Sequence, residues 1–232
     1  MKNKLPLSYY PKHIAFIMDG NRRWAKNKSL PLIDGHKQGA KVIEKILNKS
    51  LELKIKYLTF YSFSTENWKR SKDEIRELQN LLNIYLDNES EKFLKHKIKF
   101  QTIGNIKKFN LKIRNKISIL ENNTKNFDKL YFTLALNYGA RDEVLKAVKD
   151  IIKSKKIVSE KNFTSFLMTK NTPDPDLVIR TSGEMRLSNF LLWQIAYSEL
   201  YFTKTLWPDF NIRKYSLALN SYVSRKRRFG SS

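Results

Sequence analysis

The chain has 232 residues, 45 Lys plus Arg against 22 Asp plus Glu, three His and no Cys. A net charge of +23 points to a polyanionic partner, whether nucleic acid, anionic membrane or phosphorylated substrate. The missing thiols exclude disulfides, zinc–thiolate sites and iron–sulfur clusters, and 41% hydrophobic residues exclude disorder of the whole chain.

In chain order, Met1 to His13 carries lysines but no apolar core of the signal-peptide kind. Ile14–Met18 is the first short apolar run. Val42, Ile43, Ile46, Leu47 and Leu51 then share one helical face. Tyr57–Phe63 is a second run. Ser71 with Glu74 has the capping-box spacing and opens a long helix with apolar positions at Ile75, Leu78, Leu81, Leu82, Tyr85, Leu86 and Phe93. Ile98–Ile103, a helix over Asn110–Asn122, and Tyr131–Leu136 follow. A further helix carries Val144, Leu145, Val148, Ile151 and Ile152, and Leu177–Ile179 is the fifth run. The stretch Phe190–Phe202 contains Gln194, Ser198 and Glu199, too short and polar to span a bilayer, so a soluble intracellular protein is expected. Runs apolar on both faces suit strands buried in a parallel sheet, and their alternation with helices predicts one α/β domain over residues 1–232.

In such sheets ligands bind beyond the carboxyl ends of the strands. The first run is followed by Asp19-Gly20-Asn21-Arg22-Arg23-Trp24 and the second by Ser64-Thr65-Glu66-Asn67-Trp68-Lys69-Arg70. The fourth leads into Asn137-Tyr138-Gly139-Ala140-Arg141, and the fifth into Arg180-Thr181-Ser182-Gly183-Glu184-Met185-Arg186-Leu187-Ser188. Asp19 before a Gly is an ordinary turn former. Placed before a helix whose amides attract phosphate, it is also suited to hold Mg²⁺ shared with a diphosphate. Arg23, Arg70, Arg180 and Arg186 offer planar forks for phosphate oxygens. His36 either packs or donates to a phosphate. Asn67 reads equally as a turn residue. Trp24, Trp68, Trp193 and Trp207 read first as core, and Asp174 with Asp176 reads as a rigid Pro-Asp-Pro-Asp loop. There is no Walker A loop, no G-x-G-x-x-G, no H-E-x-x-H and no nucleophile elbow. These residues describe an α/β, Mg²⁺-dependent enzyme acting on diphosphates.

The segment His13–Ala25 (HIAFIMDGNRRWA) closely resembles the signature of the cis-prenyltransferase family. Gly35-His36, Phe63–Arg70, the block from Asp176 through Glu199 to Phe210, and Arg225–Gly230 match in the same order, so the resemblance spans about residue 11 to 230. It implies a homodimer, a six-stranded, mostly parallel sheet flanked by helices, and a hydrophobic tunnel. It implies that isopentenyl diphosphate is added, with new cis double bonds, to allylic farnesyl diphosphate, making a long polyprenyl diphosphate. Bacterial members make undecaprenyl diphosphate, a lipid-carrier precursor for cell-wall synthesis.

By the same resemblance Asp19 binds Mg²⁺ and assists diphosphate departure, and Glu199 is a second Mg²⁺ contact. Gly20, Asn21, Arg23, His36 and Arg70 hold the allylic diphosphate, with Arg22 and Trp24 beside them. Ser64, Thr65, Glu66 and Trp68 form the loop around Asn67, which assists proton removal. Arg180, Arg186, Leu187 and Ser188 form the isopentenyl diphosphate site. Residues 1–12 are an N-terminal arm. The basic tail 225–232, with Arg228-Phe229-Gly230, reaches the partner subunit's site. Two positions depart from the family pattern: Arg22 stands where a Gly is usual, and Leu32 where an Arg is usual, a lost contact that leaves the allylic site either weaker or supplemented by a nearby Lys. Asp19, Asn67, Arg180, Arg186 and Glu199 argue against a noncatalytic subunit, and no RNA-binding signature supports nucleic acid as partner. The 33 Lys accompany 20 Asn and 20 Ile but only eight Ala, so much of the charge reflects drift in composition. The remainder suits a cytoplasmic protein that approaches the anionic inner face of the membrane.

Overall fold

The structure, a computed structural model, describes residues 9–225. Strand β1 (His13–Ile17) leads through helices α1 (Asn21–Asn27) and α2 (Leu32–Glu52) to β2 (Tyr57–Ser64). Helix α3 (Lys72–Lys95), β3 (Ile98–Ile103), α4 (Leu111–Thr124), β4 (Leu130–Tyr138) and α5 (Ala140–Lys153) follow. The chain closes with a short α6 (Glu160–Thr164), β5 (Leu177–Arg180), β6 (Glu199–Phe202) and α7 (Ile212–Ser224). The strands form one sheet in the order β3-β4-β2-β1-β5-β6, and every pairing is parallel rather than mostly so. The five apolar runs read from sequence are strands. The sixth strand lies inside the stretch read only as too short for a membrane, and it is half-buried because it forms an edge.

Alternation along β1 explains the two-sided core. Ile14 and Phe16 join the layer under α2, α3, α4 and α7, whereas Ala15 and Ile17 face Phe190, Leu191 and Ile195. On the first side Phe16 stacks on Phe60 at 4.8 Å, and Phe60 meets Phe132 at 5.1 Å, one ring from each of three adjacent strands. Ser71 caps α3 by accepting the Glu74 amide, half of the reciprocal box read from the sequence.

Two expectations about packing are corrected. Helix α5 buries Ala140, Glu143, Ala147 and Ile151, while Leu145, Val148 and Ile152 are 59%, 38% and 68% exposed. Periodicity marks an apolar stripe but not what covers it, and this stripe does not meet its own sheet. Trp193 is likewise not core: it is 40% exposed and rests on Phe163 of α6. Trp207, by contrast, is fully buried. Asp176 accepts the amides of Lys12 and His13, as suits a rigid loop. The arm's first eight residues and the Arg228-Phe229-Gly230 tail lie outside the described residues.

Candidate active site

The order in which strands are added reverses at β1, whose neighbours β2 and β5 come from opposite arms of the topology. Their carboxyl ends are level, since Ile17 pairs with both Tyr61 and Arg180. The crevice beyond that point opens into a cavity of about 740 Å³, within the range of ligand sites. Its rim is polar and its depth apolar, with Phe63, Leu78, Leu82, Leu134 and Leu136 among the deep residues. The apolar face of α3 therefore lines it, as the tunnel expectation requires.

Asp19 sits at the rim. Arg180 Nη2 donates to its Oδ2 at 2.9 Å, and Arg23 Nη2 lies 3.5 Å from its Oδ1. The backbone beneath is held by Thr181 Oγ1, donating to the Asp19 carbonyl at 2.7 Å, and by the Trp207 amide, donating to the same oxygen at 3.0 Å. Gly20 has φ +109°, and a Cβ there would stand 2.9 Å from Leu206, so glycine is required twice over. Arg180 is 3% exposed and also donates to Ser188 Oγ at 2.7 Å and to the Arg186 carbonyl. Ser182, Ser188, Asn189 and Leu191 all take left-handed backbone, a concentration of strain in the loops around this Arg.

Helix α2 approaches α1 closely because Gly35 and Gly39 face it. A Cβ on Gly35 would meet the Asn21 carbonyl oxygen at 2.1 Å, and one on Gly39 would meet Asn21 Oδ1 at 2.4 Å. This contact brings His36 to the cavity beside Arg22 and Arg70. Burial first, then those two cations, lower the His36 pKa to about 4, so the ring is neutral at pH 7. Glu74 anchors both arginines, at 2.9 Å from Arg70 and 3.8 Å from Arg22. Among the described residues no Lys lines the cavity, and Arg22 is a cation there that the usual Gly would not supply.

The loop after β2 is a 3₁₀ turn over Thr65–Lys69 closed by a reciprocal box. Asn67 Oδ1 accepts the Ser64 amide at 3.0 Å, and the Ser64 side chain accepts the Asn67 amide. Glu66 is pushed up by burial, but hydrogen bonds from its own amide, Ser64, Asn189 and Thr65 outweigh this and leave it below its usual range. Glu66 thus stays ionised and accepts Asn189 Nδ2 at 3.2 Å.

Asp19, Gly20, Asn21, Arg22, Arg23 and His36 line one side of the cavity, and Ser64, Glu66, Asn67, Arg70, Arg180 and Ser188 the other. Six expected residues do not line it. Trp24 turns away to donate to Asp209 at 2.8 Å. Thr65 packs against Gly139. Trp68 stands behind the loop, donating to Asn137 Oδ1 at 2.7 Å and packing edge-on against Phe63 and Phe109. Leu187 joins the second core layer, and Arg186 is paired with Glu184. Glu199 pairs with Leu177, which pairs with Ile14, so it lies five residues short of Asp19 along the sheet, roughly 16 Å at 3.3 Å per residue. It is bonded there to Arg225. A metal contact shared by Asp19 and Glu199 within one protomer is therefore not formed.

Sequence reading missed Tyr61, which stacks on Phe190 at 4.5 Å and donates to the Tyr138 and Ser188 carbonyls. It also missed Gly39, although a Gly at i and i+4 on one helix is a readable sign of close helix approach.

Four polar atoms around the crevice, Asn21 Oδ1, His36 Nε2, Arg180 Nε and Ser182 Oγ, are buried without a protein partner. Such atoms are costly to leave unpaired and mark a place built for a polar ligand. Strong cations, the carboxylates of Asp19 and Glu66, and orphaned polar atoms opening onto hydrocarbon walls define an α/β enzyme for a phosphorylated, apolar-tailed substrate. The family model described as "Putative undecaprenyl diphosphate synthase" matches residues 17–230, and the chain belongs to that family of prenyltransferases. Curated relatives include the isoprenyl transferases of Thermotoga maritima, 50% identical over 95% of this chain and 97% of that protein, and of Fusobacterium nucleatum, 51% identical over 95% and 96%. Among solved structures, lavandulyl diphosphate synthase from Lavandula x intermedia with dimethylallyl diphosphate superposes with a TM-score of 0.93 at 34% identity, covering 97% of this chain and all of that one. A probable undecaprenyl diphosphate synthase from Campylobacter jejuni gives 0.82 at 39% identity, covering 95% and 99%.

Proposed function

We infer that the chain adds isopentenyl diphosphate units, with new cis double bonds, to farnesyl diphosphate, and that its product is undecaprenyl diphosphate. The observation that carries this is the continuity of an Arg-braced carboxylate rim with a deep apolar cavity. Gly20, Asn21, His36 and Arg70 are positioned for the allylic diphosphate, and Arg180 and Ser188 for the isopentenyl diphosphate. Among the described residues no group of three or more His, Cys, Asp or Glu could hold a metal. The Asp19 carboxylate at an Arg-rich rim fits Mg²⁺ that arrives with diphosphate oxygens as its other ligands. When bound, Mg²⁺ supplies neutralisation of the charge that develops on the leaving diphosphate. The guanidinium of Arg70 and the neutral His36 N–H hold that leaving group, and the fixed forks need no reorganisation as charge builds. The leucine and phenylalanine walls keep water from the allylic cation, so the alkene of isopentenyl diphosphate captures it. The tertiary cation left by that capture loses a proton to an oxygen of the departed diphosphate as the new double bond forms, and Asn67, an amide already bonded to Ser64, orients the carbon that gives it up.

The uncovered α5 stripe of Leu145, Val148 and Ile152 supports a homodimer. No helix among the described residues is long and apolar enough to cross a membrane. A cytoplasmic enzyme visiting the anionic inner face by its lysines accounts for the part of the charge that drift in composition does not. Likeness to a synthase holding dimethylallyl diphosphate favours a second reading, a shorter primer and product, which the length of the product lipid separates from the first. Incubation with farnesyl diphosphate, labelled isopentenyl diphosphate and Mg²⁺, followed by chromatography of the dephosphorylated lipid, tests this. Label in a long polyprenol is expected; folded protein yielding no extractable label would overturn it.

A further inference from the structure

The loop that carries Ser188 runs through left-handed backbone, with φ +51° at Ser188 and +63° at Asn189. Such geometry persists where its surroundings over-determine it. Tyr61 of β2 shares its hydroxyl between the Tyr138 carbonyl at 3.2 Å and the Ser188 carbonyl at 3.3 Å. At the start of α5 the Ala140 amide donates to the Asn189 carbonyl at 2.8 Å, and the Arg141 amide donates to Asn189 Oδ1 at 2.9 Å. Gly139, at the N-cap of α5, has no side chain to accept an amide, so Asn189 caps the helix from 48 residues away.

That cap fixes which way the Asn189 amide points. A backbone N–H can only donate and an ionised carboxylate can only accept, so the oxygen faces Arg141 and the nitrogen faces Glu66. Asn189 Nδ2 donates to Glu66 Oε1 at 3.2 Å. A Cβ on Gly139 would stand 2.8 Å from both Asn189 Nδ2 and Thr65 Oγ1, so the glycine is what lets the loop and the turn meet. Glu66 precedes Asn67 in the 3₁₀ turn, and Asn189 follows Ser188 in the loop.

We propose that Asn189 is a positioning residue for isopentenyl diphosphate, a strut that sets the distance between its diphosphate anchor at Ser188 and its reacting carbon at Asn67. The inference rests on the elongation activity and on isopentenyl diphosphate lying against Arg180 and Ser188. Capture of the allylic cation needs the two reacting carbons held in near-attack geometry, and misplacement on the order of 1 Å costs much of the rate. Arg180 is fixed by its own bonds to Asp19 and Ser188, whereas the turn bearing Asn67 meets the loop through the Glu66–Asn189 bond. Farnesyl diphosphate, held from α1 and α2 by Asn21 and His36, does not depend on the strut.

The test is the initial rate of the full chain with Mg²⁺, varying each substrate in turn, beside thermal unfolding of the same samples. Asn189→Gly keeps the left-handed backbone and removes both side-chain bonds. It is expected to raise KM for isopentenyl diphosphate roughly ten-fold, the worth of one hydrogen bond to a charged group, while KM for farnesyl diphosphate holds. Asn189→Asp keeps the acceptor for Arg141 but sets a carboxylate against Glu66, and raises the same KM at least as far. Adding Glu66→Gln to Asn189→Asp reverses the direction of the bond and restores KM towards the wild-type value, which a role in folding alone would not do. An unchanged isopentenyl KM in Asn189→Gly, a parallel rise in both KM values, or no rescue by the reversed pair would overturn the strut while leaving the activity standing. If Asn189→Asp does not fold, the KM split in Asn189→Gly decides alone. No elongation by the wild type would overturn the activity, and the strut with it.

Discussion

Asp19→Ala separates the structural from the chemical work of the rim. Arg180 is 3% exposed and bonds to Asp19 at 2.9 Å, so deleting the carboxylate leaves a buried guanidinium with only Ser188 and a carbonyl. Breaking a buried pair costs 3–5 kcal/mol; because the Asp19 side chain is 27% exposed, about 3 kcal/mol is expected. For a chain this long that corresponds to a fall in Tm of roughly 6–12 °C. Asp19→Asn keeps an oxygen for Arg180 and loses on the order of 1 kcal/mol. Both variants lose the anionic ligand, and turnover falls on the order of 10²–10³-fold or more in each. Thermal unfolding and initial rates on the same samples give both numbers. A full rate in Asp19→Asn, or an unmoved Tm in Asp19→Ala, would refute the reasoning.

Gly39→Ala places a methyl 2.4 Å from Asn21 Oδ1 and 2.8 Å from the Trp207 ring. Overpacking should cost about 1–3 kcal/mol and raise KM for the allylic diphosphate, and an unchanged KM with unchanged Tm would contradict the close α1–α2 contact. His13 is buried between the Pro173 carbonyl and Thr59, and burial above all lowers its pKa to about 4. It stays neutral when folded but takes a proton below about 6.5 when unfolded, so its stabilisation is complete above pH 6.5 and lost as pH falls towards 4, about 3 kcal/mol in all. His13→Gln should flatten the acid limb of a Tm–pH profile; the same slope would assign that limb elsewhere. Val148→Asp puts a charge in the uncovered α5 stripe and should convert a dimer into a monomer in equilibrium sedimentation, and an undisturbed mass would move the interface elsewhere.

Local pattern in the chain carried most of this architecture. The runs at Ile14, Tyr57, Ile98, Tyr131 and Leu177 are strands, apolar on both faces in β1 and β5 but alternating in the edge strand β3, where Lys99 and Gln101 are only half-buried, and the capping spacing at Ser71 does open α3. Residues that follow strands converge because parallel strands end together, which is why Asp19, Asn67 and Arg180 were legible as one site. The edge strand at Glu199 was not legible, since it is half-buried and follows an irregular loop. Its register, which no local pattern encodes, is what removes Glu199 from Asp19. The outward face of α5 was hidden for a related reason: Leu145 and Val148 look like core in any periodicity, and only the sheet's position decides otherwise. Tyr61 reads as one more strand aromatic, and its site role comes only from Ser188, 127 residues away, and Phe190 two residues beyond it.

A co-crystal structure with Mg²⁺ and the unreactive farnesyl thiolodiphosphate tests the central claim most directly, that rim and cavity are one active site. The account places the diphosphate among His36, Arg23 and Arg70 with Asp19 at the cation, and the farnesyl tail along Leu78 and Leu82 of α3. A diphosphate bound away from Asp19, or a tail lying outside the cavity, would contradict it.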